Sequence, residues 1–253
     1  MIDPVDALSD QTIDQMIADL RAAANLEKRR NKLAKLFRAE DFVDEDGVVY
    51  HSRHKYAKHC EFFQLGATHT ERAFMAANRV GKTVVGSYEA TLHLTGDYPE
   101  WWDGRRFSRP VDGWAGSDTS ETTRDIVQLA LLGPPGEFGT GAIPFKRIER
   151  ISPRRGVTDA VDMIVVKHKS GGISTIGFKS YDQGREKWQG TARHFIWLDE
   201  EPPEDVYDEA LVRTMTVDGL MMVTFTPLKG LSAVALRFLP NLAPAADPDA
   251  WTS

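Results

Sequence analysis

Two patterns of hydrophobic and polar positions divide the chain. From residue 9 to residue 37 the apolar positions recur at spacings of three and four, which is the period of an amphipathic helix. After residue 70, short apolar runs alternate with helical patterns, which is typical of a parallel sheet whose strands are connected by helices. The sequence therefore predicts a helical N-terminal segment followed by an α/β domain.

The elements of the α/β domain can be placed from these runs and their turn residues. The third and fourth strands below are separated by His168 to Gly172 and should form a hairpin. A capping box with Asp118 as the cap should open the second helix, and Pro203 should lie in the first turn of the third. The predicted strands are 72–77, 113–116, 161–167, 173–178, 194–198 and 220–225, and the first predicted helix is 82–94.

Composition narrows the class of protein. The 253 residues are 42% hydrophobic and 27% charged, which suits a globular domain. No apolar run approaches the roughly 20 residues of a membrane-spanning helix, and the acidic N-terminus lacks the features of a signal peptide. Cys60 is the single cysteine, so an intrachain disulfide is excluded. We expect a soluble protein of a reducing cytoplasm with no membrane partner.

One segment matches a phosphate-binding template. Residues 76–83 read AANRVGKT, which fits GxxxxGK[ST] except that Ala76 replaces the first glycine. The loop lies between a predicted strand and a predicted helix, whose N-terminal dipole favours phosphate. Lys82 would reach the β- and γ-phosphates, and the Thr83 hydroxyl would bind Mg²⁺. The alternative is a chance GKT in an ordinary strand–turn–helix. Predicted nucleotide contacts are Ala76, Asn78, Arg79, Val80, Gly81, Lys82 and Thr83.

Polar residues also end two later apolar strands. The run 195–198 ends in Asp199, Glu200 and Glu201, and carboxylates at a strand's C-terminal end face the crevice of an α/β sheet. Asp199 would hold the metal, and Glu200 would orient and deprotonate the attacking water. An acidic turn in solvent is the alternative. Thr224 and Thr226, at the end of the next strand, would couple hydrolysis to movement by sensing the γ-phosphate, unless they form an ordinary turn.

These motifs carry a family resemblance. RVGKT, IWLDEEPPEDVYDE and TFTPLKG occur in this order, and together with SYDQGREKWQG at 180–190 they resemble the large terminase subunits of tailed bacteriophages over residues 56–239. The resemblance implies a P-loop NTPase of the ASCE type, with a mainly parallel central sheet flanked by helices, that uses ATP and Mg²⁺. It implies a helical lead-in at 1–55, an ATPase domain at 56–240 and, at 241–253, a linker toward a nuclease domain that this chain does not include.

The resemblance also implies an activity. Such a domain is an ATP-hydrolysing motor that translocates double-stranded DNA into a procapsid through non-specific phosphate contacts. Its partners would be the portal protein, the small terminase subunit and further copies in a homo-oligomeric ring, in the host cytoplasm and transiently at the portal. We expect no nuclease activity from this chain. Two alternatives remain: a nucleotide-switched docking module for portal or small subunit, and a helicase-like nucleic-acid ATPase.

Further residues take their roles from the resemblance alone. Arg79 lies inside the loop, as in terminases, and would act in catalysis. Relatives use an arginine of one subunit in the next subunit's site, in an Arg-Gly pair where this chain has Gln189-Gly190. Arg185 is the candidate here, ahead of Arg193 and Arg124, although it could be an ordinary surface arginine. His59 and Phe62 lie where terminases contact adenine, or else on a helix face packed against the sheet.

The charge of the chain requires any DNA contact to be local. The formal net charge is −6, whereas phosphate contacts require concentrated Lys and Arg. Solvated helix faces are an alternative explanation for such clusters. The two candidate basic clusters are Lys28, Arg29, Arg30, Lys32 and Lys35, and Lys146, Arg147, Arg150, Arg154 and Arg155.

Overall fold

The N-terminal segment is helical at its start and irregular afterwards. The computed structural model describes residues 10–228 and 230–239, and the predicted linker at 241–253 lies outside them. Helix α1 spans Asp10–Arg29, and a 3₁₀ turn follows at Lys32–Lys35. A two-stranded antiparallel ribbon, β1 (Phe42–Val43) and β2 (Val49–Tyr50), then follows. The helical spacing therefore predicted α1 but not its end at Arg29.

The α/β domain alternates strands and helices, as its sequence pattern indicates. Among the described residues, no helix has the length and apolar content that crossing a membrane requires. The elements are α2 (Ala57–Leu65), β3 (Glu71–Met75), α3 (Lys82–Thr95), β4 (Asp112–Ser117), α4 (Ser120–Thr122), a π-helical segment (Thr123–Gln128), α5 (Leu129–Leu132), β5 (Ile148–Pro153), β6 (Val161–Lys167), β7 (Ile173–Ser180), β8 (Phe195–Asp199), α6 (Glu204–Met215), β9 (Leu220–Phe225) and α7 (Ala233–Arg237).

Seven strands form one mainly parallel sheet. Their order is β3-β9-β8-β4-β7-β6-β5, and the first five run parallel. The predicted hairpin of β6 and β7 is confirmed, and β5 adds to it antiparallel at the sheet edge. Strand β5 was not predicted, because Ile148 and Ile151 are interspersed with charged residues and the segment resembled a basic cluster.

Two apolar cores cover the two faces of the sheet. The first core includes Phe63, Leu92 and Trp197, and the second includes Trp188 and Tyr207. Every residue of β8 and β9 is buried, as expected for parallel strands covered on both faces. This burial fixes the ends of β8 and β9, where the candidate site lies.

The start of α4 differs from the predicted capping box. Thr119, not Asp118, is the N-cap, and its hydroxyl accepts a hydrogen bond from the Thr122 amide at 3.1 Å. The Thr122 hydroxyl accepts from the Thr119 amide at 2.8 Å in return. Asp and Thr are both good N-caps, so the pattern located the helix start with an error of one residue. Pro203 is likewise the N-cap of α6 rather than a residue of its first turn.

A buried ion pair joins helices α2 and α3 to strand β3. The guanidinium of Arg72 in β3 donates to Glu89 of α3 at 2.7 Å and to the Phe62 carbonyl of α2 at 2.6 Å. His93 contacts the same carboxylate at 3.2 Å. Because removing one member would leave a buried charge without its partner, the pair fixes α2 relative to β3 and α3.

Candidate nucleotide-binding site

The loop between β3 and α3 has the backbone of an anion site. Arg79 and Gly81 both have left-handed backbone angles, with φ of 64° and 87°. When right-handed and left-handed backbone conformations alternate, successive N–H groups point toward one place and form a concave site for anions. Gly81 is the N-cap of α3, so the helix N-terminus points into the same space. The loop therefore suits a phosphate group, as predicted from its sequence.

His59 packs against this loop from α2. Its Nε2 contacts the Val80 carbonyl at 2.9 Å. A Cβ on Gly81 would lie 3.1 Å from the same nitrogen, so a larger residue at position 81 would crowd the ring. Burial lowers the pKa of His59, which favours the neutral ring. His59 thus braces the loop through its backbone.

The phosphate loop and the carboxylate strand meet at Asp199. The Thr83 hydroxyl donates to Asp199 Oδ2 at 3.2 Å, across 116 positions of sequence. Thr224 Oγ1, from the neighbouring strand β9, donates to Asp199 Oδ1 at 2.6 Å. Asp199 is 2% exposed, and this burial raises its pKa to about 6. The structure thus brings together three predicted site residues from three different segments.

The end of β9 also contacts the loop directly. Lys82 Nζ donates to the Thr226 hydroxyl at 2.7 Å and to the Ala77 carbonyl at 2.9 Å. Thr226 in turn donates to Asn78 Oδ1 at 2.8 Å. A displacement of Lys82 would therefore remove a hydrogen bond that holds the end of β9.

Glu200 follows Asp199 in a backbone conformation that is rare for glutamate. Its φ is 65°, a left-handed value that costs energy in residues other than glycine and is common at functional sites. The Tyr181 hydroxyl donates to the carbonyls of Asp199 at 3.0 Å and Glu200 at 3.1 Å. The sequence did not single out Tyr181, although it lies in the segment 180–190 that resembles terminases. This tyrosine holds the turn that presents Glu200.

An aromatic cavity of about 150 Å³ adjoins the loop. Phe62, predicted to contact adenine, does not line it. Its side chain is 4% exposed and packs on Phe74 and under the Arg72 guanidinium. The prediction is therefore corrected: Phe62 is a core residue, as the alternative had it. The lining residues are Lys35, Leu36, Phe37, Val49, Tyr50, His51, Tyr56, His59, Gly81 and Val84.

The three candidate arginines contact other parts of the chain. Arg185 Nε donates to Glu209 of α6 at 2.9 Å, yet its side chain remains 58% exposed. Arg124 pairs with Asp125, and Arg193 lies over the Trp114 ring. Arg185 thus has its carboxylate partner within the chain.

The sheet order and the loop define the class of protein. Strand β9 is inserted between β3, which precedes the phosphate loop, and β8, which ends in the carboxylates. P-loop NTPases of the ASCE type have this inserted strand, whereas in other P-loop NTPases the two strands are adjacent. The domain is therefore a P-loop NTPase of the ASCE type.

Comparison with known proteins identifies the family. A family model described as terminase large subunit, T4likevirus-type, N-terminal, matches residues 73–250, so the chain belongs to that family. The large terminase subunit of Salmonella phage P22 is 39% identical over 206 residues, which cover 74% of this chain and 41% of the relative. This chain therefore spans less than half of that relative's length.

A solved structure agrees in fold. The large terminase from the thermophilic bacteriophage D6E in complex with ADP matches with a TM-score of 0.51 and 14% identity. The match covers 74% of this chain and 42% of the other.

Proposed function

We propose that this chain is the ATP-hydrolysing motor domain of a DNA-packaging terminase, which translocates double-stranded DNA into a procapsid. The contact between Thr83 and Asp199, at 3.2 Å, carries the proposal, because a loop that only resembled a phosphate site would not need a buried carboxylate beside it. Family membership supports the DNA-packaging role.

Phosphate binding would rest on the loop. Backbone N–H groups between Ala76 and Gly81, together with the first turn of α3, would surround the phosphates, and the exposed Arg79 would reach over them. A γ-phosphate oxygen would replace Thr226 and the Ala77 carbonyl as the acceptors of Lys82. Loss of the bond to Lys82 would release Thr226, and Thr224 would report changes at Asp199 through their 2.6 Å bond. These two threonines would couple the nucleotide to β9.

The residues present fit a magnesium ion. Mg²⁺ takes oxygen ligands and commonly uses one or two protein groups besides phosphate and water. The Thr83 hydroxyl and the Asp199 carboxylate offer two oxygens 3.2 Å apart, and both face the loop. When bound, the ion would neutralise charge on the β- and γ-phosphates.

Hydrolysis would be carried out by residues at the edge of this site. Glu200 would orient the attacking water and accept its proton, with its position set by Tyr181. An arginine from a neighbouring subunit, for which Arg185 is the candidate, would stabilise the charge that develops on the transferring phosphoryl group. Arg185 would have to leave Glu209 to do so.

The aromatic cavity is the place for the adenine base. It lies against Gly81 and Val84 at the start of α3, next to the proposed phosphate site. His59 would line one wall, and Tyr50 and Tyr56 would offer aromatic rings in place of Phe62. The N-terminal segment would thereby contribute to nucleotide binding.

The assembled protein would act with partners. We propose a homo-oligomeric ring of this chain on the portal protein, loaded with DNA together with the small terminase subunit, in the host cytoplasm. Family membership supports these partners.

Glu200→Gln tests the proposed catalytic role. The variant keeps the size and backbone of the glutamate but cannot accept the proton, so we expect ATP turnover to fall at least about 100-fold, within the range of general-base catalysis. Binding of a fluorescent ATP analogue should stay within about twofold of wild type. Turnover is measured as phosphate release with and without duplex DNA. Glu204→Gln, exposed in the first turn of α6, is the matched control and should turn over normally.

Two results would contradict the proposal. Unchanged turnover in Glu200→Gln would remove this residue from catalysis. Absence of any affinity of the wild-type chain for adenine nucleotides would remove the site itself.

A further inference from the structure

Four cationic side chains gather around Lys179, near the carboxyl end of β7. Lys179, near the end of β7, has its Nζ 4.2 Å from the centroid of the Trp114 ring. The guanidinium carbon of Arg193 lies 4.4 Å from the same centroid. Lys179 also donates to the backbone carbonyl of Lys187, and Arg154 is close enough to repel Lys179. We call Lys179, Lys187, Arg193 and Arg154 the cationic cluster.

The cationic cluster lacks the carboxylate partners that basic residues have elsewhere on this surface. Arg185 and Arg213 share Glu209, and Lys167 pairs with Glu149. Within residues 10–228 and 230–239, no carboxylate oxygen lies within 4.0 Å of a side-chain nitrogen of the four cluster residues. Like charges held together without counter-charges repel one another, so the cluster is a place where a bound anion would be stabilised.

Other features of the cluster agree with an anion site. The Nε of Arg193 is buried without a hydrogen-bond partner. Burial first, and then the neighbouring Arg193, lowers the pKa of Lys179 to about 8, and a nearby phosphate would raise it again. Asp162 and Asp112 provide only partial compensation, the first toward Lys179 and the second toward Arg193.

The position of the cluster leaves room for a large ligand. Helix α6 packs on β8 and β9, whereas Thr175, Gly177 and Lys179 of β7 lie on the same face and remain partly exposed. Met163 of β6 is paired with Gly177 and is also partly exposed. The cluster therefore borders a partly open strand surface.

Four residues of the two basic clusters found in the sequence make internal contacts. Lys35 pairs with Asp44, Arg29 pairs with Glu137, and the Arg30 guanidinium lies 3.7 Å from the centroid of the Phe145 ring. In the second cluster, Arg147 pairs with Asp97. Arg154 of the second cluster joins the cationic cluster, which the sequence did not show because Arg154 is distant in the chain from Lys179, Lys187 and Arg193.

We propose that the cationic cluster binds the phosphate backbone of double-stranded DNA, an inference that rests on the proposed motor function. Trp114 is only 6% exposed and lies beneath the cations, so it offers no platform for stacking an unpaired base, as a single-strand site would. Contacts to phosphate alone carry no sequence information. A motor that moves along any sequence requires contacts of that kind.

The test compares salt dependence of DNA binding in matched variants. Lys179→Gln/Arg193→Gln removes two cluster charges, and Arg105→Gln/Arg237→Gln removes two charges that are paired with Asp218 and Asp208 elsewhere. Affinity for random-sequence duplexes is measured by fluorescence anisotropy from about 0.05 to 0.2 M salt. We expect the slope of log affinity against log salt to fall by about 2 in the cluster variant. The control should keep the wild-type slope.

Single variants guard against misfolding. Lys187 is exposed, so Lys187→Gln should fold normally and lower the slope by about 1, while Lys179→Arg should retain wild-type binding. An unchanged slope in all cluster variants, or a wild-type chain without duplex affinity at low salt, would overturn the inference. The inference would also be overturned if the cluster variants lost ATP turnover measured without DNA while they still bound duplex DNA. The cluster would then act on the nucleotide bound to a neighbouring subunit. Absence of wild-type ATP turnover would instead refute the motor function and leave the DNA-binding measurement valid.

Discussion

Asp199 shows how one residue can be costly for stability and still suit the site. Its carboxylate is buried, and it accepts hydrogen bonds from Thr83 and Thr224. Burial disfavours the charged form more than these two hydroxyls favour it, so the pKa rises to about 6. A bound cation would reverse this balance, because it interacts with the ionised carboxylate.

The raised pKa of Asp199 gives a prediction for stability. The folded protein holds a proton that the unfolded chain loses near pH 4, so the contribution of Asp199 to stability falls as pH rises from about 4 to about 6 and stays low above that. The Asp199→Asn variant has no carboxyl group at this position, so its stability does not fall for this reason as the pH rises. We expect its unfolding free energy relative to wild type to increase by up to about 3 kcal/mol between pH 4 and pH 7, measured by urea denaturation without nucleotide or metal.

The control for this prediction is Asp162→Asn, which removes one exposed carboxylate from β6. Its stability relative to wild type should change little over the same pH range. If the unfolding free energy of Asp199→Asn relative to wild type did not change with pH, the Asp199 carboxyl group of the wild type would ionise in the folded protein as it does in water.

At the scale of elements, helix α3 transmits packing from the sheet to the phosphate loop. Gly86 lies in its second turn, and a Cβ at this position would fall 2.1 Å from Cε2 of Trp197 in β8. The Trp197 indole N–H donates to the Thr224 hydroxyl at 2.8 Å, and Thr224 binds Asp199. The close approach of α3 to β8 thus sets the distance between the loop and the carboxylate.

Gly86→Ala should destabilise the domain although alanine favours helices. Helix propensity would contribute about 1 kcal/mol in its favour, but overpacking against Trp197 typically costs 1–3 kcal/mol and can cost more. With a contact of 2.1 Å, we expect a net loss of about 1–2 kcal/mol in unfolding free energy. In the Trp197→Phe background the added cost should be smaller. If Gly86→Ala lowered the unfolding free energy equally with Trp or Phe at position 197, the strain would not arise from contact with Trp197.

At the scale of the whole molecule, strand order assembles the site. Strands β3, β9 and β8 are neighbours in the sheet, although β3 is far from the other two in sequence. Their carboxyl ends therefore place the loop, the two threonines and the carboxylates together. Arg185 lies on a different segment and is held by Glu209, although its side chain is 58% exposed. In the proposed ring, this exposed side chain would leave Glu209 to reach a neighbouring copy.

Mixing two inactive variants tests whether Arg185 acts between subunits. Arg185→Ala and Glu200→Gln should each hydrolyse ATP poorly. In a mixed ring, a Glu200→Gln subunit supplies Arg185 to a neighbour that retains Glu200, so we expect turnover of an equimolar mixture to exceed the mean of the two separate samples severalfold. Arg213→Ala, which removes the other partner of Glu209, is the control for loss of a salt bridge. A mixture that shows only the mean activity would limit Arg185 to a structural role.

The sequence by itself determined the local chemistry of this protein. The strand-loop-helix at 76–83, the carboxylates after β8 and the polar end of β9 could be predicted, because turn residues, helix caps and buried runs depend on neighbours in sequence. The helical spacing of α1 and the hairpin of β6 and β7 were predicted for the same reason.

Tertiary structure decided which of these residues meet. The edge strand β5, the roles of Tyr181 and Thr119, and the core position of Phe62 depend on packing between distant segments, which a single sequence does not record. The cationic cluster is a further case, since Lys179 and Arg193 both lie over the buried Trp114 and Arg154 approaches Lys179 from a distant part of the chain. Local patterns set what each segment can do, and strand order sets which segments do it together.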